Sequence, residues 1–251
     1  MSFMGKQQRA KRALARQLAY QEAKAATIHG REQDVVSAMK LSSAKVRGML
    51  ESVHPIAPEA RVLEVGSGAH GLVFFFGSEK RIGVDPLAQP YANLFPAWQR
   101  QAPTVAAFGE SLPFVESSFD IVLSHNVVDH AESPSGILSE IVRVLKPSGL
   151  LYFTVNVHHP IYALASSVHA GWNNAGISYE IGPFADHTVH LTLSRAQRLF
   201  EHLPLRVVRE SNNIALSKTN ARLSAPRHAG DLMKRVFFKN ALYEVIAIKD
   251  K

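Results

Sequence analysis

The chain has 251 residues, 46% of them hydrophobic, and a formal net charge of +7, which suits one large globular domain, or one domain with an appendage. The absence of cysteine excludes disulfides, thiolate metal sites and a cysteine nucleophile, and it fits a reducing compartment. Because no apolar run approaches the roughly 18–20 residues that span a bilayer and the N-terminus has no signal-peptide core, we expect a cytoplasmic protein with no membrane span.

The positive charge is concentrated at the N-terminus. Residues 1–31 carry seven basic side chains against Glu22 alone, whereas the rest of the chain carries 21 basic and 20 acidic side chains. A nucleic-acid-binding surface usually shows a basic patch on the body of the domain. A nucleic-acid partner is therefore not expected.

The sequence predicts two helices in the first part of the chain. Strong helix formers dominate from Lys6 to Ile28, and a second apolar stripe runs from Glu32 to Val53. The first helix has three interpretations: a solvated helix laid on the domain, an active-site cover, or an arm that contacts RNA or serves as a transit segment. We assign residues 1–56 to an N-terminal helical extension or cover, and residues 57–251 to the main domain.

The stretch RVLEVGSGAHG at residues 61–71 begins as a buried strand and breaks into a glycine turn. Unpaired backbone N–H groups in such a turn can hold an anionic or strongly polar ligand. Gly66, Gly68 and Gly71 fit a dinucleotide pattern, but a carboxylate at Glu64 would oppose a pyrophosphate and suits a ligand with an ammonium and a sulfonium. A tight turn without a ligand remains the third interpretation.

Short strands and helices alternate from Arg61 onward, which is typical of a parallel sheet with helices on both faces. The second strand, Arg81–Asp85, ends in an acidic residue where nucleoside-binding folds hold ribose hydroxyls. A carboxylate can accept two hydrogen bonds, which suits a vicinal diol. The alternative is that Asp85 only caps the turn before Pro86.

The remaining elements follow in order. After a short helix at Leu72–Phe76, the sequence predicts strands at Val105–Phe108, Ile121–Ser124, Leu150–Val157, Leu205–Arg209 and Leu242–Ile248, with helices at Ser135–Leu145, at Ser194–His202 and near Asp231–Phe238. Residues 158–193 form a long insert, which in compact domains is usually a lid or binding loop. Because ligands bind at the carboxyl ends of parallel strands, His125, Asn126, Asp129 and His130 are expected at the crevice.

The chain carries an ordered set of four motifs: VLEVGSGAHG, GVDP, LPF with SFDIV, and RVLKPSGLLYFTV. As a set they resemble the class I S-adenosylmethionine (SAM) dependent methyltransferases, in the broad branch that acts on small molecules. The resemblance covers roughly residues 60–157. It implies an α/β, Rossmann-like sheet of seven strands with the last strand inserted antiparallel, and it implies SAM as the cofactor.

The resemblance also implies roles for individual residues. The methionyl part of SAM would be lined by Glu64, Gly66, Ser67, Gly68 and Gly71. Asp85 would bind ribose, Pro86 and Leu87 would flank adenine, Gly109, Glu110 and Ser111 would meet adenine, and Ser124 and His125 would lie beside the sulfonium. The branch often has an aspartate where this chain has Phe108, so adenine would be held by backbone groups, Glu110 or stacking.

A general base is needed only if the acceptor loses a proton, and histidine suits that task near neutral pH. The candidates are His125, His130 and His187, although each also fits a structural histidine, and transfer by proximity alone remains open. No metal site is expected.

The leading hypothesis is methyl transfer to a small-molecule or saccharide-like acceptor, in a pocket built by the insert (Tyr162, Trp172, Tyr179, Phe184) and the N-terminal helices. The alternatives are an RNA or protein methyltransferase that uses the basic arm, or an inactive SAM-binding domain. An oxidoreductase fits the later motifs poorly.

Overall fold

The computed structural model describes residues 3–131, 133–162, 190–225, 232 and 235–251, giving only the backbone for residues 3–12 and for His130. Seven strands of this part form one sheet in the order β3-β2-β1-β4-β5-β7-β6. Their bounds are β1 Arg61–Val65, β2 Lys80–Val84, β3 Thr104–Val105, β4 Phe119–His125, β5 Leu145–Val157, β6 Leu205–Asn212 and β7 Ala241–Lys249. β7 lies between β5 and β6 and is antiparallel to both, which confirms the predicted seven-stranded sheet.

Helices flank this sheet. They are α1 Phe3–Ile28, α2 Glu32–Glu51, α3 Ala88–Leu94, α4 Pro96–Gln99, α5 Pro134–Val144, α6 Leu193–Arg198 and α7 Ile214–Leu223, together with single 3₁₀ turns at Leu72–Phe75 and Val128–His130. In the described part of the chain, no helix is both long and apolar enough to cross a membrane.

The two faces of the sheet are buried by different helices. On one face, Val46 and Leu50 of α2 pack against Val62, Leu123 and Tyr152; we call this the α2 face. The side chains that alternate with them along the strands project to the other face, which we call the α5 face, because the apolar side of α5 packs there. Its packed residues include Leu63, Val65, Val122, Phe153, Ile137 and Ile141. Helices therefore cover both faces, as predicted.

The second half of α1 lies on a third apolar cluster. Leu18, Ala25 and Ile28 pack there with Tyr91 and Trp98, and Tyr91 forms a side-chain hydrogen bond with Gln17. This part of α1 is therefore packed on the domain, close to the turn that follows β1. The boundary between residues 56 and 57 stays a prediction.

Three elements differ from their predictions. The third strand covers only Thr104–Val105, because β3 is an edge strand and its partner β2 ends at Val84. The helix predicted after Gly71 is one 3₁₀ turn, which stops before Gly77, a residue in the left-handed region at φ +79°. Helix α7 was not predicted, since none of its residues is buried and its apolar periodicity is weak.

Smaller differences concern element ends. The strand predicted from Leu150 begins earlier, since β5 starts at Leu145, directly after α5. The helix predicted from Ser194 begins at Leu193, and its cap is Thr192, whose side chain accepts a hydrogen bond from the Arg195 backbone N–H. The helix expected near residues 231–238 lies largely outside the described residues.

The turn after β1 is built around a buried carboxylate. Glu64 is 1% exposed, and its two oxygens accept the backbone N–H groups of Leu72 at 3.1 Å and Val73 at 2.8 Å. A Cβ at Gly71 would lie 2.5 Å from Glu64 Oε2, so glycine is required there for packing. Burial raises the pKa of Glu64 to about 8, against the opposing effect of the two N–H donors.

Replacing this carboxyl by an amide in Glu64→Gln should change how stability depends on pH. The pKa is higher in the folded state than in the unfolded chain, so the stability that Glu64 contributes is complete below pH about 4.5 and is lost as the pH rises to about 8. The slope is on the order of 1.4 kcal/mol per pH unit. Urea unfolding at several pH values should show a flatter slope in the variant, because its amide does not titrate.

A suitable control is Glu59→Gln, which alters an exposed glutamate shortly before β1 and should leave the wild-type slope in place. The amide nitrogen of the variant side chain cannot accept a backbone N–H, so the Glu64→Gln variant also loses one hydrogen bond. That loss lowers stability at every pH, whereas the loss of the titrating group changes only the slope of stability against pH. An unchanged slope in Glu64→Gln would contradict the proposed protonation of the buried carboxyl.

Candidate functional site

The glycine turn lies at the carboxyl ends of β1 and β2. The backbone N–H groups of Gly66 and Ser67 both donate to the Val84 carbonyl, at 2.7 and 3.0 Å. Gly66 has φ +70°, and a Cβ on it would lie 2.4 Å from a Val127 methyl group. Gly68 has φ +54°, but a Cβ there would have its nearest neighbours at 3.9 and 4.0 Å. Gly66 therefore faces packed protein, whereas Gly68 has room for a Cβ in ordinary contact with its neighbours.

Asp85 follows β2 and meets this turn. One carboxylate oxygen accepts the Gly68 N–H at 3.0 Å, and the other accepts the Leu87 N–H at 2.8 Å. Burial raises the pKa of Asp85, and the two backbone donors oppose this rise. β1 and β2 pair in parallel with Val65 opposite Val84, which brings residues 66–68 and Asp85 together. Pro86 and Leu87 are half-buried beside them.

Two side chains of α4 hold the turn from outside. Trp98 Nε1 donates to the Ala69 carbonyl at 2.7 Å, and Gln99 Nε2 donates to the carbonyls of Gly68 and Ala69, both at 3.0 Å. Sequence reasoning missed both residues, because they lie about thirty positions away, between two predicted strands and outside every motif. The only feature of the sequence that could have indicated them is a tryptophan directly followed by a glutamine.

His70 forms part of the same support. Its ring lies 4.9 Å from the Phe95 ring and 5.3 Å from the Trp98 ring, measured between centroids. Burial lowers the pKa of His70 to about 4, and the ammonium of Lys24 contributes. His70 is therefore neutral at physiological pH and packs as an aromatic ring.

The segment after β3 lies beside the first residues of α5. Phe108 is 51% exposed, and its carbonyl accepts the Ser111 N–H at 3.1 Å. A Cβ on Gly109 would lie 3.0–3.1 Å from Val65 and Ile137. Glu110 Oε1 accepts the Ser133 N–H at 3.4 Å, so this carboxylate is directed toward the N-terminus of α5.

The end of β4 presents His125 beside a strained residue. Ser124 is fully buried and its hydroxyl has no hydrogen-bond partner among the described residues. Asn126 has φ +56°, and its N–H donates to the Thr154 carbonyl at 3.0 Å. His125 is exposed, with its ring centroid 6.5 Å from that of Tyr152. Desolvation lowers the pKa of His125, while the carboxylates of Glu244 and Asp129 oppose this.

The other candidate histidines are less defined. The backbone of His130 lies in the 3₁₀ turn after β4, and its side chain, like the whole of His187, lies outside the described residues. Asp129 is buried and accepts a hydrogen bond from Asn156 Nδ2 at 3.2 Å. In the part of the chain that the structure describes, no group of three or more His, Asp or Glu side chains is arranged to hold a metal ion.

A cavity of about 540 Å³ lies at the opposite end of the strands and is lined by Arg61, Lys80 and Lys146 among others. These residues stand at or near the amino ends of β1, β2 and β5. Ligands of open α/β sheets bind at the carboxyl ends of the strands. The glycine turn with Asp85, and not this cavity, is therefore the candidate site.

Comparison with known proteins gives a consistent result. Residues 63–153 match the methyltransferase domain family. An uncharacterised methyltransferase of Mycobacterium leprae is 31% identical over 153 residues, which are 59% of this chain and 49% of that protein. The chain thus spans about half the length of the curated relatives it matches.

Solved structures share the fold. The YcgJ protein of Bacillus subtilis aligns with a TM-score of 0.57 at 18% identity, over 82% of this chain and 98% of that one. A geranyl diphosphate C-methyltransferase of Streptomyces coelicolor, solved with S-adenosyl-L-homocysteine, aligns with a TM-score of 0.58 at 15% identity, over 88% of this chain and 84% of that one. With the sheet order, these structures show that the chain has the fold of these proteins, and the family that residues 63–153 match is that of methyltransferase domains.

Proposed function

We propose that this protein transfers a methyl group from SAM to a small-molecule acceptor, with saccharide-like metabolites as one candidate class. The observation that carries the proposal is the contact between Asp85 and the Gly68 N–H at the joined carboxyl ends of β1 and β2. The cytoplasmic location expected from the cysteine-free sequence is part of the same proposal.

The residues of the glycine turn fit SAM. Each oxygen of Asp85 accepts one backbone N–H and retains a lone pair, so the carboxylate can still accept hydrogen bonds from both hydroxyls of a ribose. The space beside Gly68 would admit an atom in ordinary contact with this carboxylate, at 4.0 Å. The Ser67 hydroxyl is buried against Gly83 without a hydrogen-bond partner in the described structure, so any contact of Ser67 with SAM would come from its backbone.

For the adenine ring, we propose a pocket between Pro86 and Leu87 on one side and residues 108–111 on the other. Phe108 replaces the aspartate common in this branch, and its exposed ring suits stacking on a purine. Glu110 is already engaged by the Ser133 N–H. Stacking and the backbone of Gly109 and Ser111 would therefore carry most of the adenine recognition.

For the methionyl end, we propose residues 66–68, Gly71, Ser124 and His125. Glu64 would act here mainly through the backbone of the turn, because both of its oxygens accept N–H groups of the 3₁₀ turn. SAM, when bound, supplies a methyl group already activated by the sulfonium. The task of the protein is then to align the acceptor and to exclude water.

His125 is the general base that we propose for an acceptor that must lose a proton. Its pKa is lowered by desolvation, so the ring is neutral and able to accept a proton at physiological pH. His130 and His187 remain candidates for the same task. The insert and the N-terminal helices would shape the acceptor pocket.

A specific observation keeps a second function open. The basic side chains of residues 1–31 would suit RNA or an acidic protein as the methyl acceptor. Against this, the second half of α1 is packed on the domain through Leu18, Ala25 and Ile28. An inactive SAM-binding domain would bind the cofactor and transfer nothing.

Substituting Asp85→Ala should weaken binding of S-adenosylhomocysteine by tenfold or more, since hydrogen bonds to a charged group contribute about 1.5–3 kcal/mol. Isothermal titration calorimetry measures this directly, with NAD as a parallel ligand that should not bind. The control is Asp120→Ala, which removes a carboxylate that is paired with Lys146 at the amino ends of the strands. This variant should bind S-adenosylhomocysteine with unchanged affinity. An unaltered affinity in Asp85→Ala, or binding of NAD, would contradict the assignment.

Deleting residues 1–12, which removes Lys6, Arg9, Lys11 and Arg12, should leave the affinity for S-adenosylhomocysteine unchanged, because α1 packs on the domain through later residues. RNA binding, followed by filter binding in low salt, should be weak in the full chain and in the truncated one. Tight RNA binding that disappears with these residues would instead favour the polymer methyltransferase.

A further inference from the structure

Four residues form one row across four neighbouring strands. His125 of β4 is opposite Thr154 of β5, Thr154 is opposite Glu244 of β7, and Glu244 is opposite Ser211 of β6. Side chains in register on neighbouring strands project to the same face of a sheet. His125 alternates with Leu123, so this row lies on the α2 face, where His125 and Ser211 are exposed.

The spacing of this row lets His125 and Glu244 approach each other. Neighbouring strands lie about 4.8 Å apart, so two intervals place the Cα atoms of these residues about 10 Å apart. Thr154 stands between them with a short side chain, and its hydroxyl accepts the Asn126 N–H at 3.2 Å. An imidazole and a glutamate side chain can together span this gap above Thr154.

Hydroxyl groups hold Glu244 in place. Tyr152 donates to Glu244 Oε2 at 3.0 Å, and Ser211 donates to Oε1 at 3.3 Å. Burial and the nearby carboxylates raise the pKa of Tyr152, so its hydroxyl stays protonated and remains a donor. The Tyr152 ring also lies beside the His125 ring. Two donors aimed at one carboxylate keep it in a fixed position, two strands away from the histidine.

Among the described residues, the charges that act on His125 come from two elements. Glu244 of β7 and Asp129 of the 3₁₀ turn after β4 both favour the protonated imidazolium, and the effect of Glu244 is the larger. Arg209 of β6 and Glu64 of β1 act on the neighbouring Tyr152. Glu244 is therefore the principal charged neighbour of the candidate base.

We propose that Glu244 is a positioning residue for His125, its carboxylate stabilising the imidazolium that forms when the acceptor loses a proton. This inference rests on the proposed methyl transfer. In that step the acceptor atom gives its proton to His125 and bonds to the methyl carbon, while the carbon–sulfur bond breaks and its electron pair stays on sulfur. The new positive charge on His125 is then balanced by Glu244.

The test is an NMR titration of the His125 ring in the full chain saturated with S-adenosylhomocysteine. The His125 signal is assigned by its absence in His125→Gln. In Glu244→Gln, which keeps an oxygen acceptor for Tyr152 but removes the charge, the pKa of His125 should fall, on the order of one pH unit. A purely structural contact would leave this titration unchanged.

The matched control is Glu210→Gln. Glu210 belongs to β6 and hydrogen-bonds Tyr243 on the α5 face, where Gln197 Nε2 also donates to it at 2.7 Å. The control should leave the His125 titration as in the wild type. A titration unchanged in Glu244→Gln, or lowered equally in both variants, would overturn the proposal.

A second variant covers the case in which Glu244→Gln does not fold. Tyr152→Phe removes the donor that fixes Glu244 and should lower the pKa of His125 by a smaller amount, while no change would count against the pair. Calorimetry with S-adenosylhomocysteine is run on the same samples. If the wild type fails to bind it, the proposed function falls, and the titration repeated in free protein still decides whether Glu244 and His125 interact.

Discussion

The oxygens of a buried carboxyl group need hydrogen-bond donors, and in this protein the requirement shapes the turn on which the candidate site is built. Glu64 stands inside the sheet and meets the first two N–H groups of the 3₁₀ turn. These are backbone groups that a helix start would otherwise leave unpaired. Hydrogen bonds from the 3₁₀ turn to Glu64 therefore fix this region to β1, and hydrogen bonds from Trp98 and Gln99 fix the glycine turn to α4. Its backbone is fixed before any ligand arrives.

The fold was largely predictable because its central strands are buried on both sides. Strands β1, β4 and β5 read as short, continuous apolar runs, and parallel sheets covered on both faces require such runs. The errors fall where this constraint is absent. β3 is an edge strand of two residues, and α7 buries none of its residues. At such places pairing and surface contacts determine the structure, and neither leaves a strong pattern in the sequence.

The candidate site was predictable in part, and for a related reason. The glycine turn and Asp85 are separated by 17 positions, so their spacing within one strand–turn–strand unit is visible in the sequence. Trp98, Gln99 and Glu244 were missed because they reach the site through tertiary packing. Glu244 in particular looks like an ordinary polar residue alternating along a strand, and only the register of β5 with β7 places it near His125.

The same register has a consequence for the order in which the site can assemble. The contact between Gly68 and Asp85 closes a loop of 17 positions, whereas that between Tyr152 and Glu244 closes one of 92. The entropy lost on closing the longer loop costs about 1.5 kcal/mol more. Contacts between distant segments also slow folding. The ribose side of the crevice can therefore form locally, while the neighbourhood of His125 is completed only once β7 has entered between β5 and β6.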